Sequence, residues 1–379
     1  MTSPQRGPTE DGQTTSSVRK GMELDVTRLE SFLSGVKTLK LQPPLDIRQF
    51  KLGESNPTYF LKDARGSRWV LRKKPPGKLI SKTAHAVERE YRILHALGTK
   101  TDVPVPKVYV LCEDPAVLGT PFYVMEFLDG RIFDDNLLRD LQPYAPYRHL
   151  RSVVRTLAKL HKTDIVAVGL ESYGKHGGFY TRQIESLYRV SQAQAAVKDS
   201  SGDSVGEIKG IAEILAWFKR NQVRDEVTLM HGDFKLNNVV FHQRNENVIG
   251  ILDWELSSIG HPLADLANLL LPWYAPGDGY NSIMGIRNAK RPMAIPEAEE
   301  LIQYYCQMAG RPYPIPRWDF CIAFAFFRTA VILQGIAARI KIGQSSSPLG
   351  KTYAGLFQTM AECGFEIVAR GDLDQLARL

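Results

Sequence analysis

Residues 229–255 read LMHGDFKLNNVVFHQRNENVIGILDWE, and this stretch restricts the chain more than its composition does. Two apolar runs, NVVFH and NVIGILDW, flank the polar QRNEN. That is the pattern of a β-hairpin, though without the Asn-Gly pair that tight turns favour. A hairpin centred on this turn places Asn238 almost opposite Asp253, at its open end and within side-chain reach across the ladder. Asp233 lies on the segment that enters the same end. An Asn and an Asp are hard oxygen ligands, suited to magnesium carrying substrate phosphates. An Asp beside the metal but off it can orient a hydroxyl and accept its proton. Phosphoryl transfer needs this set, with Asp233 as base and Asn238 and Asp253 as metal ligands. The plainer alternative, a turn made by His231 and Asp233 and capped by the two Asn, leaves the third element at this spacing unexplained. His231 itself is expected to hold the loop by hydrogen bonds rather than to act on substrate.

The remaining sequence can build a core around such a site. The chain has 379 residues, 44% of them hydrophobic, which suits two domains or lobes. Lys and Arg number 48 against 41 acidic residues, a surplus of +7. This suits a polyanionic ligand such as a nucleotide or a coenzyme A ester, although solubility is the commoner meaning. The basic run RKKPPGK at 72–78 reads as a loop, so no nucleic-acid partner is expected. Cys112, Cys306, Cys321 and Cys363 form no metal or redox motif and read as reduced thiols in an intracellular protein. The most apolar run, FCIAFAFFRTAVILQGIAARI, is split by Arg328 and reads as a buried helix rather than a membrane span. The N-terminus has no apolar signal core, and Glu10 and Asp11 argue against a transit peptide.

Along the chain, residues 1–21 are rich in Ser, Thr, Pro, Gly and Gln and read as a disordered tail. DVTRLESFLSG predicts a helix from Asp25 to a stop at Gly35, with Val26, Leu29, Phe32 and Leu33 on one face. IRQFKL, TYFLK and RWVLRK read as strands separated by the turn compositions GESNP and DARGS. A helix over KTAHAVEREYRILHALG and two more strands, VPVPKVYVLCED and PFYVMEFLDG, complete a small sheet. Beyond Leu128 the pattern turns helical. The expectation is therefore an N-terminal nucleotide-binding lobe with a leading helix at 22–126, and a helical catalytic and acceptor-binding lobe at 127–379. A cleft between lobes is the natural place for a ligand.

The segment HGDFKLNNVVF…ILDWELSSIGHPLADLANLL resembles the aminoglycoside phosphotransferase and choline-kinase-like family, small-molecule kinases with a protein-kinase-like fold. More closely, the chain is similar to the kinase domain fused ahead of an acyl-CoA dehydrogenase in some eukaryotic proteins, and to its stand-alone bacterial relatives. The likeness runs from about Phe50 to Gly343 and takes in LGESNPTYFL, VLRKKPPG, GFYTRQIESL and FFRTAVILQGIAAR. One departure is Asn237, where the related pattern usually has Asp; Asn238 is the position carried over as metal ligand. The resemblance implies an α+β, two-lobed fold with a small mixed-sheet N-terminal lobe and a larger, mainly helical C-terminal lobe. It implies ATP and Mg2+ as cofactors and a small-molecule hydroxyl as acceptor. The subfamily points to a hydroxyacyl-CoA and an acyl-CoA dehydrogenase partner; aminoglycoside, choline and sugar acceptors are the alternatives.

The resemblance extends to the nucleotide site. In LGESNPTYF, Ser55 and the backbone around Gly53 and Asn56 are placed to cover ATP phosphates. In WVLRKK, strand alternation sets Arg72 and Lys73 on opposite faces, and the family pattern favours Arg72 as the phosphate cation. An Arg is always charged and grips phosphate with two donors. Its helix partner is then Glu90, with Glu88 the alternative. FYVMEFLDG resembles the strand leading into an interlobe hinge, with Met125 as gate and Glu126 and Leu128 offering backbone groups to adenine. Asp265 matches a structural Asp that ties a helix to the catalytic loop. Tyr180, Arg182 and Gln183 in GFYTRQ are subfamily marks placed to line the acceptor site. Arg328, a charge in an apolar helix, either binds an acidic substrate group or pairs with a buried carboxylate.

The last three residues, Ala377, Arg378 and Leu379, fit the small–basic–Leu signal read by peroxisomal import receptors. They suggest a peroxisome-like organelle for a eukaryotic source and the cytoplasm otherwise. Two other functions compete. One is a non-catalytic nucleotide-binding module serving an acyl-CoA dehydrogenase. The other is a metal-dependent hydrolase using His231 and Asp233, which needs more His ligands than the segment supplies. A protein kinase fits less well, since LDWE stands at the metal-Asp position and no Ala-Pro-Glu ending follows.

Overall fold

Short alternating runs between turn compositions become an antiparallel sheet, and the longer 3.6-periodic runs become helices. The computed structural model describes residues 15–50, 56–75, 86–277, 285–343 and 350–376. Gly53, Ser55 and the C-terminal tripeptide therefore lie outside the described residues. The first elements are β1 (Thr15–Ser16), α1 (Val26–Ser34), β2 (Asp46–Phe50), β3 (Thr58–Lys62), β4 (Arg68–Lys73) and α2 (Val87–Lys100). Then come β5 (Val108–Cys112), α3 (Pro115–Leu118), β6 (Phe122–Glu126), β7 (Gly130–Arg131), α4 (Ala145–His161), α5 (Phe179–Ala195) and α6 (Ile211–Arg220). The remainder is β8 (Thr228–Met230), β9 (Val239–His242), β10 (Val248–Ile251), β11 (Ser258–Gly260), α7 (Pro262–Tyr274), α8 (Ala298–Ala309), α9 (Trp318–Lys341), α10 (Gly350–Ala354) and α11 (Phe357–Leu376). This is the α+β, kinase-like arrangement that the sequence implies.

Two compact units form. The first takes residues 1–132, 163–171 and 237–257; the second takes 133–162, 172–236 and 258–379. The first unit holds a six-stranded sheet in the order β1-β2-β3-β4-β6-β5, with antiparallel neighbours. Helix α1 starts where the Asp25 carboxylate caps the Arg28 N–H at 3.0 Å. It buries Leu29 and Leu33 with Leu45, Tyr59, Leu61, Leu71 and Phe122. Val26, expected on that face, is exposed at the first turn.

The domain limits differ from the sequence expectation in two respects. The tail expected to be disordered through residue 21 contributes β1, whose Thr15 pairs with Phe50 on β2. The hairpin β9–β10 belongs to the first unit, not to the helical one. The reason is a long-range pairing, Gly130 with His242 between β7 and β9, which the order of elements does not reveal.

In the second unit α9 is the central helix and packs against α5, α7, α10 and α11. It is long and apolar enough to cross a membrane by length and composition, yet its residues are mostly buried inside the unit, as expected of a core helix. Phe320 and Phe324 pack edge-on against Tyr180, with Trp217 and Phe218 alongside. Strands β8 and β11 pair antiparallel and carry the chain into and out of the loop discussed below.

Candidate active site

The first unit gathers charge around one guanidinium. Arg72 points inward from β4, and its Nε forms an ion pair with Glu90 Oε2 on α2 at 2.9 Å. Its Nη2 donates to Asp253 Oδ1 at 2.8 Å and to Glu255 Oε2 at 3.2 Å. Glu90 is 1% exposed. A carboxylate so buried needs donors, and it finds Asn56 Nδ2 at 2.9 Å and Tyr123 Oη at 3.0 Å. Burial raises the Glu90 carboxyl to about 7, and Arg72 pulls against that rise. Burial likewise opposes the Arg72 charge, but Glu90, then Tyr123, Asp253 and Glu255, more than restore it, so the guanidinium stays charged. Strand alternation explains the choice between neighbours: Lys73 turns to the opposite face, where its Nζ donates to Thr120 Oγ1 at 2.7 Å. Glu88 stands 4.0 Å from Lys74 and is outside the cluster.

The hairpin has the expected register. Val239 pairs with Ile251 and Val240 with Gly250. The Leu252 N–H donates to the Asn238 carbonyl at 2.8 Å, so Asn238 and Asp253 flank one end of the ladder. Gly250 lets the Leu128 side chain pack close, since a Cβ there would displace its terminal methyl. Asp253 adopts a left-handed backbone, φ 64° and ψ 63°, which is costly for a residue with a Cβ. Among the described residues no group of three or more His, Cys, Asp or Glu side chains is arranged to hold a metal. Asn238 and Asp253 would offer a hard divalent cation two oxygen donors, an amide and a carboxylate.

The second unit carries the loop His231–Leu236. Asp265, in the first turn of α7, accepts the His231 N–H at 2.7 Å on one oxygen and the Gly232 N–H at 2.8 Å on the other. His161 on α4 stands 3.3 Å from the same carboxylate and 2.7 Å from Tyr305 Oη, which fits donation from Nε2 and acceptance at Nδ1. Burial raises the Asp265 carboxyl, but His161 and the His231 amide outweigh it and leave it below the ordinary range. Gly232 has φ 86°, a conformation open to glycine. His231 is buried, and its Nδ1 accepts the Asp233 N–H at 3.2 Å, a loop-holding role as expected. Asp233 itself meets Lys235 Nζ at 2.9 Å and Asn268 Nδ2 at 3.4 Å.

Asn56, expected to offer its backbone to ATP phosphates, is fully buried, and its side chain serves Glu90. Met125, expected as the gate, is buried and pairs with Val70 on β4 and Val108 on β5. The Glu126 N–H is spent on the Lys107 carbonyl at 2.8 Å, and its Oε2 accepts the Lys107 N–H at 3.1 Å. Leu128 is buried against β10.

Tyr180, expected to line an acceptor site, is buried in the second unit. It is 4% exposed, its ring lies 4.9 Å from those of His261 and Phe324, and its hydroxyl donates to Cys321 Sγ at 3.6 Å. Arg182 is spent on its own turn, donating to the Gly177 and Lys175 carbonyls. Arg328 pairs with no carboxylate among the described residues. Its Nη1 donates to Asn268 Oδ1 at 3.0 Å and its Nη2 to the Gly232 carbonyl at 2.8 Å. All four cysteines are buried and free.

Sequence reasoning missed several of these residues, His161 on α4 among them. Lys235 sits two positions after Asp233 inside the motif, and Asn268 lies one turn after Asp265. Glu255 follows Asp253 by two. Tyr123 emerges only from the ladder, where it pairs with Arg72.

The chain is similar to known phosphotransferases. The model of the phosphotransferase enzyme family, APH, matches residues 46–315. A crystal structure from Ralstonia eutropha, assigned by name to the aminoglycoside phosphotransferases, is 33% identical. It aligns over 92% of this chain and 99% of that one with a TM-score of 0.78. A thermostable mutant of aminoglycoside phosphotransferase APH(4)-Ia, in a ternary complex with AMP-PNP and hygromycin B, is 17% identical. It covers 91% of this chain and 99% of that one at a TM-score of 0.55, a likeness of fold. Among curated proteins, mouse acyl-CoA dehydrogenase family member 10 is 38% identical over 358 residues, 94% of this chain but 32% of that protein. The chain thus spans about a third of this relative's length. With the buried Arg72–Glu90 pair, the β9–β10 hairpin and the Asp265-anchored loop all present, the chain belongs to the APH phosphotransferase enzyme family.

Proposed function

We propose that the protein is an ATP-dependent phosphotransferase that moves the γ-phosphate to a hydroxyl of a small molecule, with a hydroxyacyl-CoA as the acceptor. The observation that carries this reading is the buried Arg72. Glu90 holds it from one side while its outer nitrogen reaches Asp253, as a phosphate-binding cation must be held. An ATP analogue in the APH(4)-Ia complex supports the nucleotide. Magnesium, bound by Asn238 and Asp253, would supply charge neutralisation and alignment of phosphate oxygens. Arg72 contributes fixed positive charge for the α- and β-phosphates, and Asp233 orients the acceptor hydroxyl and accepts its proton. Catalysis of this kind is positioning and electrostatics, which rigid groups on sheet and helix supply.

The acceptor class rests on the relatives. Proteins named acyl-CoA dehydrogenases carry a matching segment in a longer chain, which supports an acyl compound as substrate and a dehydrogenase as partner. The test is ATP consumption with magnesium across hydroxyacyl-CoAs, choline, sugars and aminoglycosides, comparing wild type with Asp233→Ala. Turnover on a hydroxyacyl-CoA, lost in the variant, is the expected result. ATP binding without turnover on any acceptor would turn the reading towards a nucleotide-binding module.

A further inference from the structure

Arg328 is left without the partner that its place in the sequence suggests. It lies on α9 beside Phe327 and one turn from Phe324, both buried, where a guanidinium without hydrogen bonds would be costly. Its donors go instead to a backbone carbonyl and a side-chain amide. We propose that Arg328 and Asn268 are positioning residues that set Asp233 for phosphoryl transfer, an inference that rests on the phosphotransferase reading above.

The geometry is directional. Arg328 Nη1 donates to Asn268 Oδ1 at 3.0 Å, and a guanidinium can only donate. The Asn268 amide is thereby fixed one way round, because a flip would set donor against donor. Its Nδ2 must then face the Phe234 carbonyl at 3.0 Å and Asp233 Oδ1 at 3.4 Å. The second arm of Arg328 takes the Gly232 carbonyl at 2.8 Å. The carbonyls on either side of Asp233 are thus held, one directly and the other through Asn268. Asp265 holds the N–H groups of His231 and Gly232 on the other side of the same loop. The Gly232–Asp233 peptide plane is held at both ends, its carbonyl by Arg328 and its N–H by His231 Nδ1 at 3.2 Å, and Asn268 steadies one Asp233 carboxylate oxygen. A planar fork can span both targets; a lysine ammonium is a point donor and serves one.

The test combines a structural readout with a kinetic one on full-length Arg328→Met, Arg328→Lys, Asn268→Ala and the double Arg328→Met/Asn268→Ala. Amide hydrogen exchange is followed over residues 229–236, and ATP turnover is measured with water and with the hydroxyacyl-CoA panel. Each single variant is expected to speed exchange in that loop while the rest of the second unit keeps its protection. Turnover should fall about 100-fold, the scale of a small misplacement of a reacting group, with the KM for ATP unchanged. Lysine should not rescue, and the double variant should lose no more than either single one.

Unchanged loop exchange with a raised acceptor KM would overturn the proposal and make Arg328 a substrate ligand. Faster exchange throughout the unit with a general loss of stability would overturn it too, leaving Arg328 a fold-holding residue. Absence of turnover in the wild type would sink the phosphotransferase reading instead, and that outcome is separable because the loop exchange needs no activity.

Discussion

Glu90→Gln is the perturbation that best isolates the buried cluster. In the folded protein the Glu90 carboxyl is pushed up to about 7 from an ordinary 4.5. It therefore binds its proton more tightly folded than unfolded. This contributes stability that is fully present below 4.5 and is lost as pH rises through 7. The separation between those two values corresponds to at most about 3 kcal/mol, at 1.36 kcal/mol per unit. Glutamine keeps one oxygen to accept from Asn56, and its amide has no proton to exchange in this range. The wild-type protein should therefore lose up to about 3 kcal/mol more stability than Glu90→Gln between pH 4.5 and pH 7.5. Urea titrations of both proteins at several pH values, read by fluorescence of Trp69 and its neighbours, give the difference directly. Other carboxylates cancel in the comparison, since they are common to both. Parallel pH profiles would refute the reasoning. They would mean that Arg72 keeps Glu90 ionised well below 7, so that ion pairing outweighs burial.

Two further outcomes test the loop and the acceptor site. Asp265→Asn should destabilise the protein by about 2 kcal/mol or more, because one of the two loop N–H groups then faces an amide donor and goes unpaired; urea denaturation measures it. Tyr180→Phe should leave the acceptor KM unchanged and cost less than about 1 kcal/mol, since it removes only the hydroxyl contact to Cys321. A rise in acceptor KM would restore Tyr180 to the substrate site.

The parts of the fold that were legible in the sequence are those governed by local periodicity. The hairpin register followed from two apolar runs and the position of their turn, and the ladder pairs Val239 with Ile251 as that symmetry requires. Alternation along RWVLRK separated Arg72 from Lys73, and the structure sends them to opposite faces. Readings that depended on remote partners fared less well. Tyr180 stands in a polar-looking segment, GFYTRQ, but its surroundings come from His261, which caps α7, and from α9, far along the chain. Arg328 invited a search for a carboxylate because sequence displays charges and hides carbonyls. The hairpin was assigned to the wrong unit because its partner, β7, is a two-residue strand with no pattern of its own.

The same distinction bears on Asp253. A left-handed backbone at a residue with a Cβ costs about 1 kcal/mol or more, and glycine at this position would remove the strain. What glycine could not supply is the carboxylate that meets Arg72 at 2.8 Å. The conformation is held from three sides: the Leu252 N–H on the Asn238 carbonyl, the buried Trp254 with its indole N–H on the Ile251 carbonyl, and Arg72 itself. Three carboxylates, Glu90, Asp253 and Glu255, share that one guanidinium. Of these, Glu90 is buried and Asp253 about one-third exposed, so Asp253 can meet a further cation. A half-open carboxylate adds little to a structural ion-pair network and suits a site that receives a cation. Strain and exposure fall on the same residue, and the two have a common explanation if Asp253 is kept for a ligand rather than for the fold.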